Sequence, residues 1–239
     1  MKLKIKKKLK VLILGGSGML GYHCIKELNK KFQVFTTYNE KKISYENSYE
    51  LRINTKGNEY AKILKEILLN VKPNVIINTI GLVSVEGCEN NYELARKLNS
   101  DFISELNDLL KKLELKNCHL IQISSAGVYG NKSNNLKAWK ETDIVNPISN
   151  YAKTKLLGEK NALENGLKTT VIRTDFYGLN PVSEKSLLWF IIKCVSSNMV
   201  IDGWQNILFS PISAKKLANI ISKIISKEIF GIYNIGCIN

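Results

Sequence analysis

An α/β fold built on a doubly wound parallel sheet is what this 239-residue sequence predicts. Three observations carry that expectation. Continuous apolar runs such as Val11–Leu14 and Asn74–Thr79 read as strands buried on both faces. Segments with a helical period separate them, and strands alternating with helices imply parallel crossovers. Finally, glycines at Gly15, Gly18 and Gly21 follow the first run where a helix should begin, with Met19 and Leu20 between them. Such a turn can cradle phosphate: one glycine makes the tight bend, one allows close backbone approach, and one lets helix pack on strand. The helix N-terminus adds free N–H groups and partial positive charge. Taken alone the glycines also suit an ordinary strand-to-helix turn, so the nucleotide reading leans on residues further along the chain.

In chain order, Met19–Lys30 reads as a helix with Leu20, Cys24, Ile25 and Leu28 on one face. Phe32–Thr37 is a second strand. Residues 38–57 are polar, with at most a short strand at Leu51–Ile53. Tyr60–Leu69 repeats the helical period and Pro73 ends it. After the strand at Asn74–Thr79 come a long helix over Asn91–Leu113, a strand at Cys118–Ile123, a loop from Gly127 to Pro147, a helix at Asn150–Glu164 and a strand at Lys168–Arg173. Beyond Asp175 the pattern changes to a helix at Glu184–Ser197, short extended pieces near Met199 and Ile207, a helix at Ala214–Ser226 and a last strand at Gly231–Ile235. This divides the chain into a Rossmann-type nucleotide-binding domain, residues 1–175, and a small substrate-binding lobe, residues 176–239.

Composition narrows the function. The net charge of +14 would ordinarily suggest nucleic acid, yet the cations are mostly scattered Lys, and Arg stands only at positions 52, 96 and 173. The one cluster, Lys2–Lys10, reads as a solvated tail. Neither a nucleic-acid nor a membrane partner is expected: the apolar run at 187–195 is broken by Lys193 and too short for a bilayer. The five cysteines are odd in number and widely spaced, which disfavours a metal site and a disulfide framework and suggests a reduced, cytoplasmic setting. His23 reads as a surface residue and His119 as a core one, Trp189, Phe190 and Cys88 read as packing residues, while Trp204 beside Asp202 and Gln205 could meet a sugar or base.

Tyr151 and Lys155 lie four apart, on one face of a helix. A cation near a phenol favours the phenolate, bringing a group that normally titrates near ~10 closer to working pH. In a Lys-rich chain that spacing also arises as a plain solvated face. Upstream, Ser124 and Ser125 end a buried strand at the carboxyl edge of the sheet, where such folds bind ligands.

With Gly15-x-x-Gly18-x-x-Gly21, Asn78-Thr-Ile-Gly81, Asn99, Ser125 and Tyr151-x-x-x-Lys155 in this order, the chain resembles the extended short-chain dehydrogenase/reductase family. The resemblance implies Tyr151 as general acid and Lys155 as ligand of the nicotinamide ribose that lowers the tyrosine pKa. It implies that Ser125 polarises a substrate carbonyl and that Asn99 supports a proton-relay water. Gly15, Gly18, Met19, Leu20, Gly21, Tyr38, Asn39, Asn78 and Gly81 would line the cofactor with Tyr151 and Lys155. Within the family the chain looks like the dTDP-4-dehydrorhamnose reductase group, through 85–89, 92–99, 139–143, 187–190, 203–206 and 210–213. That implies reduction of a nucleotide-linked 4-keto-6-deoxy sugar for surface polysaccharide synthesis; an epimerase or a cofactor-binding regulatory subunit is the alternative, and a homodimer is allowed. Ala126 departs from that group's Asp and argues against a dehydratase, and Glu86 stands where the group often has Asp. The chain stops at Asn239, just after a strand, where relatives usually continue, so either a fragment or an unusually small lobe is expected. No acid stands at Thr37 or Tyr38, and Lys41 and Lys42 could meet a 2'-phosphate, so NADPH is expected over NADH.

Overall fold

The computed structural model describes residues 8–53, 59–131, 138–164, 166–182, 186–201, 203 and 210–237. Strand β1 (Lys10–Leu14) leads into helix α1 (Met19–Leu28), strand β2 (Gln33–Tyr38) and a short β3 (Ser48–Glu50). Helix α2 (Glu59–Val71) and strand β4 (Val75–Asn78) follow, then helices α3 (Val85–Asn90), α4 (Tyr92–Arg96) and α5 (Phe102–Lys112), with a π-helical turn at Lys97–Asp101. Strand β5 (His119–Ile123), a 3-10 turn (Ala126–Tyr129), helix α6 (Asn150–Leu163) and strand β6 (Thr169–Arg173) complete the part expected to bind nucleotide. Beyond it come β7 (Phe176–Tyr177), α7 (Leu187–Ser196), β8 (Ile212–Ser213), α8 (Ala214–Lys227) and β9 (Gly231–Asn234).

Among the described residues seven strands form one sheet in the order β3-β2-β1-β4-β5-β6-β9, every neighbouring pair parallel. Alternate residues of β1 explain why its apolar run is unbroken. Val11 and Ile13 face a core shared with Leu20, Cys24 and Leu28 of α1 and Leu217 and Ile221 of α8. Leu12 and Leu14 face the opposite core, built with Leu64 and Leu68 of α2 and Phe102, Leu106 and Leu110 of α5. A strand buried on both faces has no polar side to alternate with. Chain order reverses at β1, which has β2 on one side and β4 on the other, and this opens a crevice at the carboxyl ends of the strands.

Four local expectations are corrected. The short strand lies at Ser48–Glu50 and not at Leu51–Ile53, since Thr36 to Tyr38 of β2 pair with it. The helix expected over Asn91–Leu113 is interrupted by the π turn and preceded by a separate α3, because Ser84 and Asn91 each cap a new start, accepting from Gly87 N and Leu94 N. No strand forms at Met199; β7 instead pairs with β8, while Ile207 lies outside the described residues. In the segment assigned to the small lobe, α8 packs on α1 and β9 extends the main sheet beside β6, so residues 214–234 belong physically to the sheet layer. No described helix is long and apolar enough to cross a membrane.

Candidate active site

The turn after β1 is shaped by two glycines. Gly15 takes φ +91°, and a Cβ there would sit 2.8 Å from Thr79 Oγ1. A Cβ on Gly21 would stand 2.3 Å from the Gly15 carbonyl oxygen, so only glycine lets α1 press against the turn. Gly18 caps α1 without a side chain, and the first turn carries no acid. That leaves the backbone N–H groups at the start of α1, including those of Met19 and Leu20, to meet an anion. Asn180 Nδ2 donates to the Ser17 carbonyl oxygen at 2.9 Å, tying the far segment to this turn.

A cavity of about 560 Å³ runs from the turn across the carboxyl ends of the strands. Gly18, Met19, Leu20, Asn39, Gly81, Tyr151 and Lys155 line it, as do Glu40, Lys41 and Asp175. That volume is typical of a small-molecule or cofactor site. Other expected residues act from behind its wall. Asn78 Nδ2 donates to Gln122 Oε1 at 2.9 Å while its Oδ1 accepts from Ile80 N, so it fixes the bend after β4. Tyr38 ends β2, with its carbonyl oxygen accepting from Leu51 N. Lys41 reaches over to donate to the Val182 carbonyl oxygen at 3.3 Å.

The π turn presents Asn99, and both ends of its buried amide are engaged. Leu82 N donates to Oδ1 at 3.0 Å, and Nδ2 donates to Leu82 O and to Thr154 Oγ1. Asn99 thus clamps the segment after β4 to α6. A Cβ on Gly81 would lie 2.6 Å from Asn99 Oδ1. Gly158 of α6 meets the Asn99 backbone just as closely, at 2.1 Å from its carbonyl oxygen for an added Cβ, which lets helix and π turn touch.

Helix α6 buries Thr154, Lys155 and Glu159, an unusual face for a helix. Lys155 Nζ donates to the Ile123 carbonyl oxygen at 2.6 Å. Burial lowers its pKa to about 8, against the opposing pull of Glu159. Glu159 itself is held by Arg173, through Nη2 to Oε2 at 2.7 Å and Nε to Oε1 at 3.0 Å, and accepts from Ser124 Oγ. Tyr151 departs from expectation: burial pushes its phenol up to about 12, Asp175 and Cys88 push the same way, and a hydrogen bond with Ser125 opposes them. The lowering expected from Lys155 is absent, because that ammonium is drawn to Ile123 O and a carboxylate faces the phenol instead.

Sequence reasoning passed over Asp175. Ser125 Oγ donates to Asp175 Oδ1 at 3.2 Å and accepts from Gly127 N at 3.1 Å. Asp175 lies just past β6, on the carboxyl edge, and that position is the signal that could have marked it. The residues read as structural divide. His119 is buried against Thr170, and burial lowers its pKa to about 4, while His23 bonds Leu179 O. Phe190 of α7 does not pack inward; it is 51% exposed. Trp204, Gln205 and Asp202 lie outside the described residues, as do Lys2–Lys7 of the basic cluster and Glu184 at the expected helix start.

A parallel doubly wound sheet with a glycine turn at its switch point, and Tyr-x-x-x-Lys on the helix facing it, defines the extended short-chain dehydrogenase/reductase class. Within that class the chain belongs to the RmlD substrate binding domain family, matched over residues 9–238. It is 29% identical over 227 residues to methionine adenosyltransferase 2 subunit beta of Bos taurus, covering 92% of this chain and 63% of that one. It is 29% identical over 234 residues to dTDP-4-dehydrorhamnose reductase of Aggregatibacter actinomycetemcomitans, covering 94% of this chain and 72% of that one. The chain thus spans less than two thirds of the first of these relatives. A hypothetical dTDP-4-dehydrorhamnose reductase from Sulfolobus tokodaii superposes with TM-score 0.79 at 27% identity, over 95% of this chain and 76% of that one. The enzyme of that name from Bacillus anthracis, in complex with NADP, gives 0.80 at 19% identity over 98% of this chain and 76% of that one, a likeness of fold alone.

Proposed function

We propose that the chain is an NADPH-dependent reductase of a nucleotide-linked 4-keto-6-deoxy sugar, acting in the cytoplasm in surface polysaccharide synthesis. The observation that carries the reading is one cavity joining the anion-ready start of α1 to Tyr151 and Lys155. Gly15, Gly18 and Gly21 with Met19 and Leu20 would hold the pyrophosphate. Asn39 and Lys41 would meet the adenosine ribose and its phosphate, although Glu40 shares that wall and would favour NADH. The cofactor supplies a hydride when bound, and the chain's residues do the rest. Tyr151 gives its phenolic proton to the new alkoxide, and a phenol protonated well above neutral pH is ready to donate. Lys155 stands behind it with the charge to fix the nicotinamide ribose. Ser125 would bind the carbonyl oxygen, and the segment from Phe176 onward would cover the sugar.

The test is titration with NADPH and NADH by nicotinamide fluorescence, then a screen of 4-keto sugar nucleotides for cofactor oxidation. Tyr151→Phe should bind cofactor and lose turnover by about 10²-fold or more, the usual worth of a positioned proton donor; a near-normal rate would remove Tyr151 from its role. Net cofactor oxidation separates reductase from epimerase.

A second reading, a cofactor-binding subunit of another enzyme, is favoured by the relative named as a methionine adenosyltransferase subunit, matched over 92% of this chain. Cofactor binding without turnover on any keto sugar would support it.

A further inference from the structure

We infer that Asp175 is a positioning residue of this site, holding the Ser125 hydroxyl proton and so deciding whether Ser125 meets the substrate as hydrogen-bond donor or acceptor. The inference rests on the carbonyl-reducing function proposed for the chain. A serine hydroxyl has one proton and two lone pairs. In this site one lone pair takes the Gly127 N–H and the proton goes to Asp175 Oδ1. Ser125 is 4% exposed and stands off the cavity wall, whereas Ser124 and Asp175 are on it.

The Ser125 proton has two claimants, the Asp175 carboxylate and the Tyr151 phenol, both within hydrogen-bonding reach. An ionised acceptor forms roughly twice as strong a bond as a neutral one. With Asp175 ionised, the hydroxyl therefore points at the carboxylate and leaves only a lone pair for a ligand. A ketone oxygen, which can only accept, then finds no donor at Ser125. A substrate alcohol finds an acceptor.

Protonation of Asp175 reverses the direction. Its own O–H donates to Ser125 Oγ, and the serine proton becomes free for the carbonyl oxygen. Asp175 also accepts the Ala126 N–H, which holds the carboxyl in place. Burial raises its pKa above the usual carboxylate range, while the Ser125 and Ala126 bonds oppose that rise. Tyr151 and Lys155 from α6 and Glu40 and Lys41 from the segment after β2 share the cavity wall with it, and Cys88 of α3 acts on Tyr151 and Lys155. The proton on Asp175 is not consumed: the hydride goes to the carbonyl carbon, the Tyr151 proton goes to its oxygen, and Asp175 is left as it was.

The experiment is the pH dependence of kcat/KM for NADPH-dependent reduction, and for oxidation of the product alcohol by NADP, in the wild type and in Asp175→Asn. Reduction in the wild type should fall about tenfold per pH unit above the Asp175 pKa, and oxidation, which passes through the same transition state in reverse, should level off over the same range. In Asp175→Asn the amide donates to Ser125 at every pH, so the reduction limb should flatten and alcohol oxidation should go on rising with pH where the wild type levels off, both directions gaining by the same factor at a given pH. A limb unchanged in Asp175→Asn belongs to Lys155 and overturns the inference.

A second readout needs no turnover. The Asp175 carboxyl, followed by 13C NMR and assigned by its loss in Asp175→Asn, should titrate above the ordinary aspartate and move further up in Ser125→Ala, where it loses a donor. An ordinary titration that Ser125→Ala leaves in place overturns the inference. Coupled titration without turnover on any sugar removes the reductase reading instead and leaves the Asp175–Ser125 coupling standing.

Discussion

Removing the Glu159 carboxylate tests the part of the structure on which Lys155 and Ser124 both depend. Glu159 and Arg173 have side chains only 2% and 5% exposed, and they meet through Nη2 to Oε2 at 2.7 Å and Nε to Oε1 at 3.0 Å. Arg173 Nη1 also donates to Tyr129 OH at 2.9 Å, and its guanidinium stacks on that ring. Glu159→Leu leaves a buried guanidinium without its counter-charge, which costs roughly 3–5 kcal/mol. At about 2–4 °C of melting temperature per kcal/mol for a chain of this size, the loss is roughly 6–20 °C. Replacing both, as Glu159→Leu with Arg173→Met, removes the stranded charge. Tyr129 keeps Lys140 O and Asn234 Oδ1 as acceptors, so Ser124 is the group deprived of a partner, and the double variant should cost only about 1–3 kcal/mol. The assay is urea and thermal unfolding of the two singles and the double, followed by circular dichroism and read as a double-mutant cycle. If the single costs add to the double within about 0.5 kcal/mol, the two charges are not coupled and the argument fails.

Gly21→Ala puts a Cβ 2.3 Å from the Gly15 carbonyl oxygen, against backbone that cannot yield without opening the turn. It should lose nicotinamide binding and about 1–3 kcal/mol of stability, checked by fluorescence titration and melting; unaltered affinity would detach the turn from the cofactor. His119 is neutral in the fold, with its pKa lowered to about 4 by burial. The unfolded chain binds that proton from ~6.5 downward, so stability falls as pH drops from there toward 4, by about 2 kcal/mol at pH 5. Melting temperatures at pH 7 and pH 5 should therefore converge in His119→Gln, and an undiminished acid loss would assign the effect to other groups.

What could be read from residues alone was whatever local chemistry dictates. The unbroken apolar runs at Val11–Leu14 and Val75–Asn78 require burial on two faces, and the spacing of Gly15, Gly18 and Gly21 requires a close turn into a helix. From these follow the alternation of strands and helices, the parallel sheet and the place of the crevice. Tyr151 and Lys155 share a helix face by period alone, whatever surrounds them. The π turn was hidden, because its residues have the same local preferences as the helices on either side and only the hydrogen-bond partners differ.

Tertiary structure decided how side chains far apart in the chain divide their protons and charges. Asn78 and Asn99, which look like ligands in sequence, turn out to be engaged by Gln122, Leu82 and Thr154. Asp175 looks like the end of a strand, yet it lies 3.2 Å from Ser125 and helps to raise the Tyr151 pKa. Phe190 reads as packing the small lobe and is half exposed, while α8 and β9 read as part of a lobe and complete the main sheet. The physical reason is common to all of these: a strand or helix is set by neighbours a few residues away, whereas a hydrogen bond or a pKa depends on which partners the completed fold brings within about 3 Å.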